Sequence, residues 1–163
     1  MEADRTTEIL GIIFLLLSLL FKIRGDSGWV IWYDSVTELG ELKWQNALTS
    51  ENRCFFDVSD GIFLNYTWKP EVHLDGSVLL AGQRKTDVFV GVDVFGRGCY
   101  GGGGWNSHVA FEEAWKRGLS VAVFAQGGEI LHGKFCLLML LAFLSSNPFL
   151  SSNPFLSLHC TTA

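Results

Sequence analysis

The sequence of 163 residues is long enough for one ordinary domain and too short for a complete eight-stranded barrel of about 250 residues. Its formal net charge is −5 with only 12 Lys and Arg, so the basic footprint of a nucleic-acid-binding protein is absent. The four cysteines and four histidines form no ligand motif, so we expect no metal site and no cofactor.

Residues 1–28 are an apolar leader that we do not assign to the domain. The stretch 9–21 is apolar apart from Ser18, but as a helix it spans only about 20 Å, against roughly 30 Å for a bilayer core. A signal peptide would begin with positive charge, whereas acidic residues outnumber Arg5 here. Three interpretations remain open: a poor signal peptide or membrane anchor, a buried segment, or a wrongly assigned start of the chain.

From residue 29 onward, short apolar runs alternate with helix-like intervals. The runs predict four strands, at residues 29–33, 62–66, 88–93 and 120–124. Continuous apolar runs of this length are typical of parallel strands that are buried on both faces. The alternation therefore predicts an α/β fold, and its interval corresponds to half of a barrel.

The intervals between the strands predict three helices. They are expected at residues 41–52, from Pro70 towards Leu80, and from Asn106 or Ser107 to Arg117. Asp75 and Gly76 are expected to interrupt the second helix, and Gly118 is expected to end the third.

Polar and aromatic side chains follow the predicted strands. Tyr33, Asn65 and Asp93 each lie near the carboxyl end of a run. Ligand sites of parallel α/β folds form at that end, and aromatic faces stack on sugars while short polar groups bind hydroxyls. The pattern indicates a carbohydrate site. The glycine-rich segment 96–104 either lets the backbone approach a ligand closely or is only a connector.

The composition changes after Ala125. The hexapeptide Ser-Ser-Asn-Pro-Phe-Leu occurs twice, at 145–150 and 151–156, and no charged residue follows Lys134. Two copies are too few to stack as a solenoid. We interpret residues 127–163 as an unrelated low-complexity tail.

Four sequence blocks carry a resemblance to a known family. They are Trp-Tyr-Asp-Ser-Val at 32–36, Gly-Glu-Leu-Lys-Trp-Gln-Asn-Ala-Leu at 40–48, Asp-Gly-Ile-Phe-Leu-Asn-Tyr-Thr-Trp-Lys at 60–69 and Val-Gly-Val-Asp-Val-Phe-Gly-Arg-Gly at 90–98. In order and spacing these blocks resemble glycoside hydrolase family 85, the cytosolic endo-β-N-acetylglucosaminidases, and most closely its plant members. The resemblance covers residues 29–125.

The resemblance implies an incomplete TIM-type barrel, the C-terminal half of a (β/α)8 fold, at residues 29–126. It also implies hydrolysis between the two N-acetylglucosamine residues at the core of an N-linked glycan. N-linked glycans or free high-mannose oligosaccharides would be the substrates, and the cytosol the compartment. Residues 9–21 are the only segment through which the chain would associate with a membrane. The alternative to the cytosol is therefore a membrane-associated protein held by the apolar leader.

The resemblance assigns roles to five residues by their motif positions. Tyr33 resembles the family tyrosine that hydrogen-bonds near the reacting acetamido group. Trp44 and Trp68 match tryptophans that line the glycan cleft, and Asn65 and Asp93 lie where polar sugar contacts would form. An alternative role stays open for two of these residues. Trp44 could instead pack its predicted helix onto the sheet, and Asp93 could instead close a loop by hydrogen bonding.

The catalytic pair of the family is missing from this sequence. The implied mechanism is substrate-assisted: an asparagine orients the acetamido group of the sugar, and a glutamate two residues later protonates the leaving oxygen. Both belong to an Asn-x-Glu strand before the block at 32–36, yet residues 1–28 contain no asparagine. We expect this chain alone to be inactive. A glycan-binding remnant or truncated gene product, and a small membrane-associated protein, are the competing interpretations.

Overall fold

The computed structural model describes residues 28–124 together with positions 9, 12, 13, 16, 19 and 23. They belong to one structural unit, Met1–Ala125. The six earlier positions are helical and carry exposed Ile and Leu side chains. Among the described residues, no helix has both the length and the apolar character needed to cross a bilayer. The predicted tail at 127–163 lies outside the described residues.

Residues 28–124 form an α/β structure around a parallel sheet of four strands. The strands are β1 (Ile31–Tyr33), β2 (Gly61–Leu64), β3 (Val88–Asp93) and β4 (Ser120–Phe124), and they adjoin in that order. All four predicted strands are confirmed, and the bounds of β3 and β4 agree with the prediction. Strand β1 starts two residues later than predicted, and β2 ends two residues earlier.

Three α-helices connect the strands. They are α1 (Arg53–Val58), α2 (Asp75–Ala81) and α3 (Ser107–Lys116). A π-helical turn, Pro70–Leu74, leads directly into α2, and Pro70 begins it as predicted. The predicted interruption at Asp75 and Gly76 is wrong, because both residues lie inside the continuous helical segment.

Helix α3 ends as the sequence predicts. Gly118 has a φ of +71°, and its N–H donates to the Trp115 carbonyl. The N–H of Leu119 donates to the carbonyl of Ala114 at 3.2 Å. These two bonds are a Schellman motif, which requires a residue that tolerates the left-handed conformation. At the other end of α3, Asn106 is the N-cap residue but forms no side-chain capping bond.

The helix predicted at residues 41–52 is wrong. This segment is an irregular connection, and helix α1 begins only after it. The backbone N–H groups of Gln45 and Asn46 donate to the carboxylate of Asp34 at 3.1 and 2.7 Å. Asn46 also has a φ of +56°, which an α-helix excludes. Tertiary hydrogen bonds therefore override the local helical periodicity.

One face of the sheet packs against the helices to form the core. Ile62, Leu64, Val88 and Val90 are fully buried there. Leu74 and two alanines of α3 cover them from the helix side. Burial of such side chains stabilises the folded state by about 1.5–3 kcal/mol each. This face accounts for every second apolar residue of the strands, because successive side chains of a strand alternate between the two faces.

On the opposite face of the sheet, phenylalanine rings of β2 and β3 pack against glycines of the neighbouring strand. A Cβ on Gly91 would lie 2.8 Å from the Phe63 ring and 2.4 Å from the Leu64 carbonyl oxygen. A Cβ on Gly61 would lie 2.8 Å from the ring of Phe89. Each phenylalanine thus lies over the glycine of a neighbouring strand, and this places both rings close to the sheet.

We predict that Gly91→Ala destabilises the chain by about 1–3 kcal/mol, because the added methyl group overpacks a site already closed by Phe63 and backbone. Urea denaturation followed by circular dichroism measures the change. Gly76→Ala is the matched control. Nothing lies within 4 Å of a Cβ at Gly76, so the same change inside α2 should raise the stability by about 0.5–1 kcal/mol. Equal effects of the two substitutions would contradict the prediction.

Candidate functional site

Three of the predicted site residues meet at the carboxyl edge of the sheet. Tyr33 ends β1, and its hydroxyl donates to the Oδ1 atom of Asn65 at 2.8 Å. The side chain of Trp44 is hydrogen-bonded to Tyr33 and is about half exposed. Trp44 lies in the irregular connection between β1 and α1, so it is not packed on a helix as one alternative proposed. Phenol, amide and indole thus share one surface.

Two further side chains extend this row and were not predicted from the sequence. The Nδ2 group of Asn65 donates to the Oδ1 atom of Asn46 at 2.7 Å. The hydroxyl of Thr67 donates to the same oxygen at 2.5 Å. The left-handed backbone of Asn46 brings its amide to the row, and asparagine is among the few residues that adopt that conformation readily. No local pattern in the sequence marks this position.

Asp34 follows β1 directly and holds the hydrogen-bonded row of Tyr33, Asn65, Asn46 and Thr67 in place from inside the protein. Its carboxylate is fully buried and accepts N–H groups from Gln45 at 3.1 Å, Asn46 at 2.7 Å and Asn65 at 3.4 Å. The Nδ2 group of Asn52, also fully buried, donates to it at 3.1 Å. Burial raises the pKa of Asp34 above its ordinary value, although these four donors act in the opposite direction.

The hydrogen-bonding capacity of the row depends on the protonation state of the Tyr33 hydroxyl. Burial raises the pKa of Tyr33 above its ordinary value, and the nearby Tyr66 and Asp34 add to the increase, while the bond with Trp44 lowers it. The phenol therefore stays protonated at neutral pH and acts as a hydrogen-bond donor. With the amides of Asn65 and Asn46, the row offers neutral donors and acceptors next to an exposed indole face. Such a surface suits a neutral ligand rich in hydroxyl or amide groups.

Asp93 lies at the end of β3 but is fully buried. It accepts the Nε–H of Arg97 at 2.8 Å and the backbone N–H groups of Phe95 and Arg97 at 3.1 and 3.2 Å. Burial alone would raise the pKa of Asp93, but these hydrogen bonds lower it below its ordinary value. The structure thus gives Asp93 the loop-closing hydrogen bonds that were the alternative to direct sugar contact.

Trp68 lies in the core beside the site. It is 2 % exposed, its indole N–H donates to the Gly91 carbonyl at 2.7 Å, and its ring stacks on Tyr100 with centroids 5.3 Å apart. Both ring faces are inside the protein. In this structure Trp68 packs in the core next to the strand ends, and neither face of its ring is accessible to a sugar.

The glycine-rich segment after β3 folds back on its own backbone. A Cβ on Gly96 would lie 2.1 Å from the carbonyl oxygen of Gly102, and one on Gly103 would lie 2.4 Å from the nitrogen of Gly96. The N–H of Gly104 donates to the Val94 carbonyl at 2.6 Å. Gly96 and Gly103 therefore serve the internal packing of a closed loop, whereas a Cβ on Gly102 or Gly104 would meet no atom within 4 Å.

A concavity of about 380 Å³ lies at the amino-terminal edge of the sheet. It is lined by Trp29, Ser59, Asp60, Arg84 and Asp87. Its charged groups close loops: Arg84 pairs with Asp87 at 2.8 Å and donates to the Ser59 carbonyl at 2.9 Å. We assign this edge to stability. Within the described residues, no cluster of three or more His, Cys, Asp or Glu side chains could hold a metal ion.

The model of glycosyl hydrolase family 85 matches residues 15–134 of this chain. The chain belongs to glycosyl hydrolase family 85. Both strand ends that build the Tyr33–Asn65 row lie inside the match, as does the segment with Trp44. The match starts 14 residues before Trp29 and ends 8 residues after Gln126, so it overlaps both predicted flanking segments.

The chain is also similar in sequence to individual proteins of plants and animals. The cytosolic endo-beta-N-acetylglucosaminidase 1 of Arabidopsis thaliana is 50% identical over 118 residues, which are 71% of this chain and 17% of the relative. The cytosolic endo-beta-N-acetylglucosaminidase of Gallus gallus is 52% identical over 105 residues, or 64% and 14% of the two chains. That of Homo sapiens is 51% identical over 100 residues, or 61% and 13%. The chain thus spans less than a fifth of the length of these relatives.

We predict that Asp34→Asn destabilises the chain by about 1–3 kcal/mol, because an amide presents one acceptor oxygen where four N–H groups converge on a carboxylate. Urea denaturation at neutral pH measures the effect. Asp57→Asn is the control, since Asp57 is exposed and only pairs with Arg53 on the helix surface; it should change the stability by less than about 0.5 kcal/mol. A change at Asp34 as small as the control's would contradict this arrangement.

The same variant tests the direction of the pKa shift. A carboxyl group whose pKa is raised in the folded state binds more protons folded than unfolded, so its contribution to stability falls as the pH rises above the ordinary value of 3.8. The stability of the wild type relative to Asp34→Asn should therefore decrease with rising pH in this range. Asp93, whose pKa is lowered, contributes the opposite slope, but it does so in both proteins. An increase in the difference with pH would show that the four donors outweigh burial.

Proposed function

We propose that residues 29–126 are the later half of a (β/α)8 barrel, and that this segment belongs to a mannosyl-glycoprotein endo-β-N-acetylglucosaminidase. The enzyme would cleave between the two core N-acetylglucosamine residues of N-linked glycans, including free high-mannose oligosaccharides, in the cytosol. The observation that carries the proposal is the row of hydrogen-bonded neutral side chains at the carboxyl edge of the sheet, beside an exposed tryptophan. Membership of family 85 supplies the reaction class.

The proposal gives each group of the row a task. The hydroxyl oxygen of Tyr33 would accept a hydrogen bond near the reacting acetamido group, while its proton stays on Asn65 and fixes its orientation. Trp44 would stack on a sugar face. Asn65 would bind sugar hydroxyls or amides at the end of β2. Because each group is held by another protein group before the sugar binds, little conformational entropy would be lost on binding.

Asp93 and Trp68 would not contact the sugar themselves and would act by positioning other groups. Asp93 holds Arg97, and Trp68 fixes the end of β2 against β3 through the Gly91 carbonyl. We propose that Asp93 reaches a glycan only through the residue it positions. Trp68 would maintain the shape of the cleft wall.

The reaction itself needs groups that this chain lacks. In the substrate-assisted mechanism, the acetamido oxygen of the substrate attacks its own anomeric carbon while a carboxylic acid protonates the leaving oxygen. The pair Asn-x-Glu, which would orient the acetamido group and supply the acid, occurs nowhere in the 163 residues. This observation favours the second candidate function, a catalytically inactive glycan-binding remnant or truncated product.

The flanking segments remain part of the proposal. We propose residues 1–28 as a leader outside the barrel and residues 127–163 as an unrelated tail. The family match reaches into both, which makes residues 15–28 and 127–134 the places where these boundaries should be examined. Limited proteolysis of the purified chain locates them directly.

We predict that the purified chain does not hydrolyse a high-mannose N-glycopeptide at a measurable rate. Loss of the general acid alone removes roughly 10²–10⁴-fold of rate, and loss of the orienting asparagine adds to it. Release of glycan is measured by mass spectrometry, with a full-length family 85 enzyme assayed in parallel. Turnover similar to that enzyme, in a preparation shown to be free of other glycosidases, would refute the assignment of an inactive segment.

We further predict that the segment is competent when the missing strand is supplied. A chimera in which residues 29–124 replace the aligned part of the Arabidopsis relative should hydrolyse the glycopeptide. Tyr33→Phe in this chimera should lower kcat by up to roughly 10²–10³-fold, as for loss of one preorganised hydrogen-bonding group, because it removes the hydroxyl oxygen and also its bond to Asn65. Trp29→Phe, at the amino-terminal edge, is the control and should leave kcat unchanged. A folded chimera without activity would contradict the enzymatic function and favour the glycan-binding remnant.

A further inference from the structure

A second cluster of aromatic and charged side chains lies at the carboxyl edge, around Arg97. We call Arg97, Phe95 and Phe124 the Arg97 cluster. The guanidinium carbon lies 5.4 Å from the ring centroids of both phenylalanines, and the two rings meet edge to face at 6.5 Å. The Arg97 side chain is 58% exposed, and Phe95 is 54% exposed. An exposed phenylalanine beside an exposed guanidinium is a surface that a ligand can cover.

The charge of the cluster selects its ligand. The Nε–H of Arg97 and one Nη2–H point at the buried carboxylate of Asp93, at 2.8 and 3.4 Å. The ion pair is neutral overall, and an anionic ligand would have to compete with Asp93 for the same fork. A guanidinium carries five N–H donors, so others remain directed away from Asp93. Neutral hydroxyl groups are the partners that fit these donors.

The aromatic rings select the shape of that ligand. Arg97 lies over the ring of Phe95, yet Phe95 remains 54% exposed, so part of its apolar surface is open to a ligand. A pyranose has a C–H face that stacks on such a ring and a rim of hydroxyl groups that accept from a guanidinium. A flat apolar ligand would use the ring without the donors, and a phosphate would use the donors without the ring.

Tyr66 connects the Arg97 cluster to the Tyr33–Asn65 row. Its ring stacks on Phe124, with centroids 6.3 Å apart, and it follows Asn65 directly in the chain. It is also close enough to interact electrostatically with both Tyr33 and Arg97. In the sheet, Asp93 is paired in register with Phe124. The two groups of side chains are therefore neighbours along one edge.

We propose that the Arg97 cluster is a second sugar subsite, which binds a neutral mannose residue of an N-glycan while the Tyr33–Asn65 row binds the core N-acetylglucosamine. This inference rests on the proposed function. In it, Arg97 and Phe95 set specificity for the mannose-bearing portion of the glycan. Asp93 is the positioning residue that holds Arg97.

Two oligosaccharides titrated into the full chain by isothermal calorimetry test the proposal. Chitobiose carries only the two N-acetylglucosamine residues, whereas the Man3GlcNAc2 pentasaccharide also carries mannose. Phe95→Leu keeps an apolar side chain but removes the aromatic face. It should raise the Kd for the pentasaccharide by roughly 2- to 12-fold, the range of one aromatic contact, and leave the Kd for chitobiose unchanged. Phe95→Trp should keep the affinity for the pentasaccharide.

Two further variants make the result specific. Arg97→Lys keeps a cation against the buried Asp93 but removes the planar fork, and it should weaken only the pentasaccharide. Trp29→Leu, an exposed aromatic at the opposite edge, should change neither affinity. Circular dichroism confirms that each variant is folded.

The possible outcomes separate the inference from the function beneath it. If Phe95→Leu and Arg97→Lys affect both sugars equally, or affect neither, the second subsite is refuted while the site around Tyr33 stands. If the wild-type chain binds neither oligosaccharide, both the subsite and the proposed glycan function are overturned. Selective loss of pentasaccharide binding supports the subsite.

Discussion

The buried carboxylate of Asp34 is the interaction on which the carboxyl edge of this sheet depends. Four N–H groups, from residues that lie 11 to 31 positions later in the chain, converge on its two oxygens. One oxygen binds the backbone of Asn46 and Asn65, which supply two of the side chains in the row. A buried carboxylate without such partners would be strongly disfavoured, so the connection after β1 has to fold around it. The geometry of the row follows from the satisfaction of this one charge.

Asp34 and Asp93 show how the same residue type at two strand ends acquires different properties. Both are fully buried. Asp34 has only neutral N–H donors, and burial prevails, so its pKa is raised. Asp93 has the guanidinium of Arg97, and the hydrogen bonds prevail, so its pKa is lowered. Neither carboxylate is available to protonate a glycosidic oxygen, because both are already occupied in holding loops.

Much of the fold could be predicted because it depends on local signals. The apolar runs located β3 and β4, Pro70 marked a helix start, and Gly118 marked a helix end. The segment 41–52 could not be predicted, because hydrogen bonds to a distant carboxylate replaced its helical bonds. The site shows the same limit. Tyr33, Trp44 and Asn65 were predicted from strand ends and family motifs. Asn46 joins the row because its backbone is left-handed, and no local sequence pattern predicts that conformation. The family motif positions also could not distinguish the buried ring of Trp68 from the exposed ring of Trp44.

The hydrogen bonds of the row hold its side chains in place without help from any group of an Asn-x-Glu pair. Tyr33, Asn65, Asn46 and Thr67 are satisfied by one another, and Asp34 anchors them from inside the sheet. Each of these bonds joins two residues of the segment 33–67. The free energy that orders the exposed indole and the phenol hydroxyl therefore comes from the sheet and from the connection after β1.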